Sequence, residues 1–454
     1  MCTFLIVVQG VKKGNTLLKD TIKKEGNKTV LGRFAARSAW SLLFQATATG
    51  LGFISVTLMA RWLGADEYGR YTYVATWVLV CSKLISALFD RLLVRQTAYY
   101  ETLHTPALAL GLFRTALIFT VSMSALVSAC SAAAYFWGSD LQSGRLWLIA
   151  MAGLPFSAIL SNTNSFIQGN HRVLSAQIAE MCISPLLWLM CLVLLYYVIC
   201  PWGGTTFSAE WAAAGNLAVA FIVLLIGIAL LWPSIKPLIG LRPTYDFEGW
   251  RKSGVWFFLS TALFLINNRA DLLLLGYFSN NKAVGVYKVA VILSEILKLP
   301  LIAVNSVLLP QIALYFARNE IDDLQKLVKH SARISTAVAI IIAALLITLS
   351  PYLLQFYGTA YNDSYKAMLI LCAGQLVNVA SGSVGNILNM TKHDRDVFIG
   401  LAISTGSNIL INVWLIPSMG YMGAACAAAI STILWNILLV ALVFWRLRIN
   451  PTVF

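Results

Sequence analysis

Long apolar segments, separated by short polar connections, follow one another along almost the whole chain. Each segment holds about 20 predominantly apolar residues, the length that an α-helix needs to cross the hydrocarbon core of a membrane. The pattern therefore predicts an all-α polytopic membrane protein with about twelve transmembrane helices. The twelve windows are residues 38–60, 71–89, 115–137, 146–166, 173–200, 211–232, 254–276, 284–309, 334–353, 367–390, 397–416 and 423–445.

The composition agrees with this interpretation and excludes several classes of soluble protein. Hydrophobic residues make up 59% of the 454 residues and charged residues only 11%, whereas soluble domains contain about 25% charged residues. The spans leave almost no length for a soluble domain, which excludes a nucleotide-hydrolysing cassette and a secreted scaffold. In a soluble chain the net charge of +14 would indicate binding to nucleic acid. In a membrane protein we expect the positive charge to lie next to the bilayer, so no nucleic-acid partner is expected.

The lysines and arginines are distributed unequally between the two sets of predicted loops. Cytoplasmic loops of membrane proteins retain positive charge, and 24 of the 33 lysines and arginines fall on the side that includes the amino terminus. We therefore expect both termini to be cytoplasmic, in agreement with an even number of spans. The opposite side carries only Arg61, Arg70, Arg145, Lys282 and Lys366.

An internal repeat divides the windows into two sets of six. At a shift of 216 residues, Gly69-Arg70-Tyr71 aligns with Gly285-Val286-Tyr287, and Leu92-Leu93 aligns with Leu308-Leu309. Such a duplication would build a transporter with two six-helix lobes related by pseudo-symmetry and a central site between them. The predicted domains are a basic cytoplasmic segment 1–37, a first lobe 38–232, a cytoplasmic linker 233–253, a second lobe 254–445 and a cytoplasmic tail 446–454.

The cysteines and histidines predict neither a metal site nor a disulfide framework. The eight cysteines are scattered through apolar segments without a CxxC pair or a nearby histidine cluster. All four histidines lie in predicted connections, where solvated side chains are expected. We therefore expect no catalytic residue, no metal and no cofactor.

Charged residues in the second lobe are the first candidates for substrate binding. A charge at membrane depth costs about 2.5–3.5 kcal/mol on insertion scales, so each one needs a partner, a cavity or access to the interface. Lys288, Glu295 and Lys298 lie within an arc of about 80° on helix eight. They predict either a cavity-lining stripe or a structural Glu295–Lys298 pair with Lys288 extended to the interface. Arg269 and Asp271 in helix seven lie either in the outer half of the membrane or, if the helix ends early, at its interface.

The first lobe also contains charged candidates. Lys83 and Asp90 are seven residues apart on one face of helix two, and Arg91 follows at its cytoplasmic end. Arg91 predicts either substrate contact or anchoring at the interface. Glu180 in helix five has no partner that the sequence identifies, and it predicts either a proton or cation site or a structural ion pair.

Neutral polar residues form a stripe along helix ten. Gln375 and Asn378 belong to a series that continues through Asn389 at spacings of three and four residues, as on one helix face. Asn408 and Asn412 repeat the pattern in helix eleven. Such stripes predict either ligand contacts in a cavity or hydrogen bonds between packed helices.

Three motifs resemble those of a known membrane family. Residues 60–71 (ARWLGADEYGRY) and 90–95 (DRLLVR) are similar to the amino-terminal signature of bacterial polysaccharide repeat-unit flippases of the O-antigen type. These flippases belong to the multidrug/oligosaccharidyl-lipid/polysaccharide exporter superfamily. The resemblance extends over about residues 33–448. In this chain Asn268-Arg269-Ala270-Asp271, together with residues 275–278 and 284–287, resembles the family's helix-seven signature. Residues 415–425 resemble the family's turn between helices eleven and twelve.

The resemblance implies transport of an undecaprenyl-pyrophosphate-linked oligosaccharide from the inner to the outer leaflet of the bacterial cytoplasmic membrane. The transported oligosaccharide would be used to build a cell-surface polysaccharide, such as the O-antigen of lipopolysaccharide. Diphosphate and sugars need cations and hydrogen-bond donors in a shielded cavity, and the step requires no covalent catalysis. The implied partners are the lipid-linked oligosaccharide, membrane lipid, a polysaccharide polymerase and other assembly proteins. Arg269 and Asp271 match the family signature, whereas Lys288, Glu295 and Lys298 follow from the helical stripe.

Three alternatives remain open at this point. A drug/cation antiporter of the same superfamily would share the helices, but we expect its cavity to be acidic, and this chain has internal lysines and arginines. A peptidoglycan-precursor flippase of that superfamily usually has two additional helices. A membrane-embedded polysaccharide polymerase or glycosyltransferase would need charged residues on a large external loop, whereas the longest one predicted here, residues 353–366, is short.

Overall fold

The structure, a computed structural model, describes residues 27–137 and 141–453, and in these ranges it contains helices and no β-strand. The first helical run, Asn27–Thr102, is kinked at Gly64, and we call its two parts α1 (27–63) and α2 (65–102). The elements that follow are α3 (Pro106–Trp137), α4 (Leu141–Ala152 and Leu154–Gly169), α5 (Val173–Trp202), α6 (Ala209–Ile235), α7 (Phe247–Phe278), α8 (Asn281–Ala317), α9 (Ile321–Tyr357), α10 (Ser364–Ala380 and Val384–Met390), α11 (Asp394–Met419) and α12 (Tyr421–Leu447).

Ten of these elements, α3 to α12, are long and apolar enough to cross a membrane. The prediction of an all-α, multi-pass membrane protein is therefore confirmed. The first two predicted windows, 38–60 and 71–89, lie on α1 and α2, which are not among the ten. The total of twelve spans stays a prediction.

The helices extend beyond the apolar windows into the predicted cytoplasmic segments. Residues 1–26 of the basic segment 1–37 lie outside the described residues, and residues 27–37 form the start of α1. In the predicted linker 233–253, α6 continues to Ile235 and α7 already begins at Phe247. The Asp246 carboxylate caps α7, because it accepts a hydrogen bond from the Gly249 backbone N–H at 3.1 Å.

The hydrophobic core is shared by the two halves at one end of the bundle and divided at the other. We call the end that holds Gly64, Gly358 and Gly420 the outer end, following the predicted orientation, and the opposite end the inner end. The amino half is α1–α6 and the carboxyl half is α7–α12. At the outer end one large cluster joins buried side chains of both halves. At the inner end one cluster belongs mainly to the amino half and another to the carboxyl half, so the halves are packed most closely at the outer end.

Two glycines allow the halves to touch at the outer end. The start of α2 crosses the start of α8 where Gly69 meets Gly285. A Cβ at Gly69 would lie 1.8 Å from the Asn281 carbonyl oxygen, and a Cβ at Gly285 would lie 2.2 Å from the Ala65 carbonyl oxygen. Small residues permit such close backbone contact between membrane helices. These glycines are the same pair that the 216-residue repeat aligns.

At the inner end, α2 and α7 remain in contact. A Cβ at Gly254 of α7 would lie 3.2 Å from the Leu88 carbonyl oxygen of α2. Nearby, the Trp250 indole N–H donates a hydrogen bond to the Tyr100 hydroxyl at 2.8 Å, and this pair is buried. Because α2 and α7 belong to different halves, the two halves also touch at the inner end.

Candidate functional site

A polar cavity of about 700 Å³ lies in the carboxyl half. Its walls are formed by α7, α8, α10, α11 and α12, and Arg91 of α2 completes them from the amino half. Side-chain amides make up most of the polar lining. Because an amide both donates and accepts hydrogen bonds, this lining suits a ligand rich in hydroxyl groups. The amides belong to Asn267, Asn268, Gln375, Asn378, Asn386 and Asn389.

A break in α10 interrupts the wall that supplies most of these amides. The helix stops at Ala380 and resumes at Val384. Gly382, between the two parts, has φ +72°, a left-handed conformation that favours glycine. The Ser383 hydroxyl donates a short hydrogen bond to the Asn305 side-chain oxygen of α8. The break is therefore anchored to a neighbouring helix.

Neighbouring side chains hold the central amides in place. The Asn378 Nδ2 donates a hydrogen bond to Gln375 Oε1 at 3.3 Å. The Asn378 Oδ1 accepts one from Asn436 Nδ2 of α12 at 3.1 Å. These two hydrogen bonds fix the orientation of the Asn378 side chain in the cavity wall.

Basic side chains outnumber acidic ones on the cavity wall. The charged residues that line it are Arg91, Lys298 and Asp394. Lys298 ends a short 3-10 turn, Ile296–Lys298, in the middle of α8. Its Nζ lies 3.4 Å from the Glu295 carboxylate, so the predicted Glu295–Lys298 pair forms. The site thus combines amides with two basic and one acidic lining side chains, and the Glu295 carboxylate next to Lys298 balances the remaining charge.

A second charged group lies farther towards the outer end of α7 and α8. The Tyr287 hydroxyl donates a short hydrogen bond to the Asp271 carboxylate. Arg269 and Lys288 both interact electrostatically with Asp271, and Lys288 also interacts with Glu295. Since Lys288 precedes Lys298 by ten residues, about 15 Å of helix separates them. The cavity lining does not include four of the predicted residues, Arg269, Asp271, Lys288 and Glu295. Glu295 nevertheless contacts the lining residue Lys298, and Arg269 directly follows the lining residue Asn268.

The amino half contains a smaller cavity of about 410 Å³, lined by α2, α4, α5 and α6. Lys83 and Glu180 are the charged residues on its wall, and the Lys83 Nζ lies 3.8 Å from the Glu180 carboxylate. At the other end of this cavity, the Asn216 Nδ2 donates a hydrogen bond to the Tyr71 hydroxyl at 2.9 Å. Glu180, which had no partner in the sequence, therefore pairs with Lys83.

Asp90 lies beside this smaller cavity and is surrounded by serines. The hydroxyls of Ser86, Ser161 and Ser165 donate hydrogen bonds to its carboxylate at 2.8, 3.0 and 3.2 Å. The Lys83 ammonium in turn donates to the Ser161 hydroxyl at 3.2 Å. Asp90 and Arg91 are neighbours in sequence, but Asp90 faces the amino half and Arg91 faces the carboxyl-half cavity.

The structure separates the predicted site residues into three places. Arg91, Lys298, Gln375 and Asn378 line the larger cavity, the group around Asp271 lies next to it, and Glu180 and Asp90 lie in the amino half. Asn386 was missed, because the predicted stripe assumed an unbroken helix ten. The second predicted stripe serves packing, since Asn412 donates hydrogen bonds to Asn408, which donates to Ser431 of α12.

Two family models match the chain. One, of a family described as "Polysaccharide biosynthesis protein", matches residues 34–316, which is more than half of the chain. The other, MatE, matches residues 257–414. Together the matches extend from α1 into α11.

One sequence relative and two solved structures are similar to this chain. Over 176 residues the chain is 27% identical to the "Probable flippase AglR" of Haloferax volcanii, which covers 37% of this chain and 36% of that protein. The chain thus matches about a third of the length of this relative. An inward-facing multidrug resistance MATE family transporter has a TM-score of 0.70 at 11% identity, covering 90% of this chain and 98% of that one. The lipid II flippase MurJ in an inward closed conformation has a TM-score of 0.68 at 16% identity, covering 88% and 87%. These structures share the two-lobed fold with this chain.

Proposed function

Because the chain belongs to the polysaccharide biosynthesis protein family, we propose that it is a flippase for a lipid-linked oligosaccharide in the cytoplasmic membrane. The name of the Haloferax volcanii relative, a probable flippase, supports a transport step rather than covalent chemistry. The fold shared with MurJ and with a MATE transporter fits movement of a solute between two lobes. The protein would act as a transporter and not as an enzyme.

The observation that carries this proposal is the amide-lined cavity of the carboxyl half. Its volume of about 700 Å³ is in the range of ligand sites that enclose most of a small molecule. Sugars present hydroxyl groups on all sides, and the paired donors and acceptors of Asn and Gln side chains can satisfy them. Trp435 and Phe264 add apolar surface on which a sugar ring can lie.

Lys298 and Arg91 are the proposed contacts for the anionic part of the substrate. Charge-assisted hydrogen bonds from ammonium and guanidinium groups are the strong contacts to phosphate oxygens. Lys298 comes from the carboxyl half and Arg91 from the amino half, so a diphosphate between them would contact both halves. Binding would then favour a state in which the two halves approach each other at the inner end.

In its finer form the proposal follows the family resemblance of the sequence. The carrier would be undecaprenyl pyrophosphate, the direction would be from the inner to the outer leaflet, and a polysaccharide polymerase would use the product at the cell surface. The substrate would interact with a further set of charged residues next to the cavity as it moves outward. These residues are Arg269, Asp271, Lys288 and Glu295. Both termini would be cytoplasmic, and the lobes would be residues 38–232 and 254–445.

A drug/cation antiporter is the second candidate, because a MATE transporter shares the fold. The wall of the larger cavity disfavours it. Arg91 and Lys298 would repel a cationic drug, and Asp394 is the acid that the lining offers in return. The amide side chains of the wall also offer more hydrogen-bonding groups than an apolar cation can use.

The proposal is tested by complementation of a cell that lacks its own repeat-unit flippase. We expect Lys298→Ala to reduce surface glycan at least about tenfold, because a charge-assisted hydrogen bond contributes about 1.5–3 kcal/mol. Lys282→Ala is the matched control, since Lys282 is an exposed residue of the same helix. Membrane protein amounts are compared by immunoblotting. Normal glycan in Lys298→Ala, or equal losses in both variants, would contradict the proposed role of the cavity.

The orientation can be tested separately with reporter fusions. Fusions at Asn281 and Asn362 should report the outside, and fusions at Lys236 and Lys326 should report the cytoplasm. The positive-inside distribution of lysine and arginine is the physical reason. Reversal at any one of these positions in an active protein would overturn the predicted topology.

A further inference from the structure

A short non-helical segment, residues 449–453, follows α12 and packs against the inner end of the carboxyl half. The helix ends at Leu447, and Arg448 has φ +56°, a left-handed conformation that turns the chain away from the helix axis. Ile449 is only 1% exposed and belongs to the inner core of the carboxyl half. Pro451 is buried as well. The segment is therefore a packed part of the fold.

Two side chains of α9 hold the backbone of this segment. The Gln325 Nε2 donates a hydrogen bond to the Asn450 carbonyl oxygen at 2.8 Å, and the Gln325 Oε1 accepts one from the Asn450 backbone N–H at 2.6 Å. One side-chain amide thus satisfies both backbone groups of one residue. The Arg333 Nε donates to the Val453 carbonyl oxygen at 3.2 Å. The segment therefore runs along α9 for about 12 Å, the length of eight helical residues.

The same segment crosses the break in α10. The Ala380 carbonyl oxygen, at the end of the first part of α10, accepts a hydrogen bond from the Val453 backbone N–H at 3.2 Å. Carbonyl groups in the last turn of a helix have no partner within that helix, and at membrane depth they need one from the protein. A Cβ at Gly382 would lie 2.8 Å from the Pro451 carbonyl oxygen. The backbone of the segment therefore touches the backbone of the break.

The break determines how the amides of the cavity wall are spaced. Gln375 and Asn378 precede it, whereas Asn386 and Asn389 follow it. A change in the backbone of the break would move the second pair of amides relative to the first. Among the described residues, those that line the cavity include neither α9 nor residues 449–453. The segment can therefore position the amides without contacting a ligand itself.

We propose that residues 449–453 position the α10 break, and with it Asn386 and Asn389, for recognition of the sugar part of the substrate. Gln325 is the positioning residue that holds the segment on α9. This inference rests on the proposed glycan site, but the support of the break by the segment can be tested without a glycan. The proposed contacts for the anionic part lie on α2 and α8, so they should not depend on the segment.

The test uses the full chain in lipid nanodiscs. Gln325→Ala removes both hydrogen bonds to Asn450, and Val453→Pro removes the N–H that is donated to the break. Gln355→Ala is the matched control, because Gln355 is an exposed glutamine of the same helix. Hydrogen–deuterium exchange of peptides that contain residues 380–386 is measured by mass spectrometry. The affinities for a soluble oligosaccharide fragment and for inorganic pyrophosphate are measured by calorimetry.

We expect exchange at the break to be at least about fivefold faster in Gln325→Ala and Val453→Pro than in the wild-type protein and Gln355→Ala, because hydrogen bonds that hold the break are lost. The affinity for the oligosaccharide should weaken at least about fivefold in the same two variants. The affinity for pyrophosphate should change less than about twofold, because its contacts are distant from the segment. A purely structural role would weaken both affinities or neither.

Unchanged exchange at the break in both variants would overturn the proposal. Equal losses of oligosaccharide and pyrophosphate affinity, or faster exchange with an unchanged oligosaccharide affinity, would overturn it as well. If Gln325→Ala does not fold, Val453→Pro decides the outcome, because it leaves α9 intact. Failure of the wild-type protein to bind the oligosaccharide would contradict the proposed function instead, and the exchange rates would still decide whether the segment holds the break.

Discussion

A single methyl group at the outer crossing of α2 and α8 should shift the protein away from the state described here. An ideal Cβ at Gly285 would lie 2.2 Å from the Ala65 carbonyl oxygen and 3.2 Å from the Gly69 backbone nitrogen. Real Cβ atoms essentially never approach other heavy atoms within 3.0 Å, so the two backbones must separate by roughly 1 Å in Gly285→Ala. Overpacking of this kind costs about 1–3 kcal/mol.

That cost applies only to conformations in which the two backbones touch. The ratio of the outer-closed state to any outer-open state should therefore fall about 5- to 150-fold. Gly52→Ala is the matched control, because it also replaces a helical glycine and its Cβ would meet nothing within 4 Å. The general gain in helix propensity is then the same in both variants.

The assay is pulsed electron paramagnetic resonance between spin labels at Asp66 and Lys282, both exposed at the outer end. In nanodiscs, Gly285→Ala should gain a population at longer distance that Gly52→Ala lacks. Thermal unfolding of both variants shows whether the protein remains folded. Indistinguishable distance distributions in the two folded variants would refute the conclusion that this crossing closes the outer end.

Three further predictions concern side chains in the carboxyl half. Arg269→Ala should lower surface glycan in the complementation assay more than Arg251→Ala, an exposed residue on the same helix, and equal values would contradict a role for the charged group. Tyr287→Phe leaves the Asp271 carboxylate without its hydroxyl donor, so thermal stability should fall by about 1–3 kcal/mol, and an unchanged unfolding temperature would show that this contact is unimportant. Asn378→Leu removes an amide from the cavity wall, so the affinity for a soluble oligosaccharide fragment, measured by calorimetry, should weaken at least about fivefold. Unchanged affinity would show that the sugar binds elsewhere.

The sequence predicted the fold class because each membrane-spanning helix needs about 20 predominantly apolar residues, and hydropathy detects segments of that kind. It also found the glycine pair, since the 216-residue repeat aligns Gly69 with Gly285. It could not show that these glycines touch, because a repeat gives corresponding positions and not the crossing of the helices. The length of the helices beyond the apolar windows was missed for a related reason: hydropathy does not mark helix outside the hydrocarbon.

The candidate site was predicted in part. The α-helical spacing put Lys288 and Lys298 on one face of helix eight, but it did not show that their separation along the helix would leave only Lys298 on the cavity wall. Helix ten was treated as continuous, so the break at Gly382 and the cavity position of Asn386 were not predicted.

The sequence alone could not predict contacts between segments that are far apart in the chain. Glu180 left two alternatives open because its partner, Lys83, lies 97 residues earlier in the chain. Asn378 and Asn412 belong to similar stripes, yet Asn378 lines a cavity and Asn412 is fully buried between helices. Only the arrangement of the neighbouring helices separates these outcomes.

The central claim, transport of a lipid-linked oligosaccharide through the carboxyl-half cavity, is tested most directly by reconstitution. Proteoliposomes are loaded with lipid-linked oligosaccharide, and the glycan that becomes accessible to a membrane-impermeant glycosidase is measured over time. We predict that the wild-type protein and Lys282→Ala expose the inner-leaflet glycan, whereas Lys298→Ala does so at least about tenfold more slowly. Exposure by the wild-type protein at the rate of protein-free liposomes, or at an equal rate by Lys298→Ala, would contradict the account.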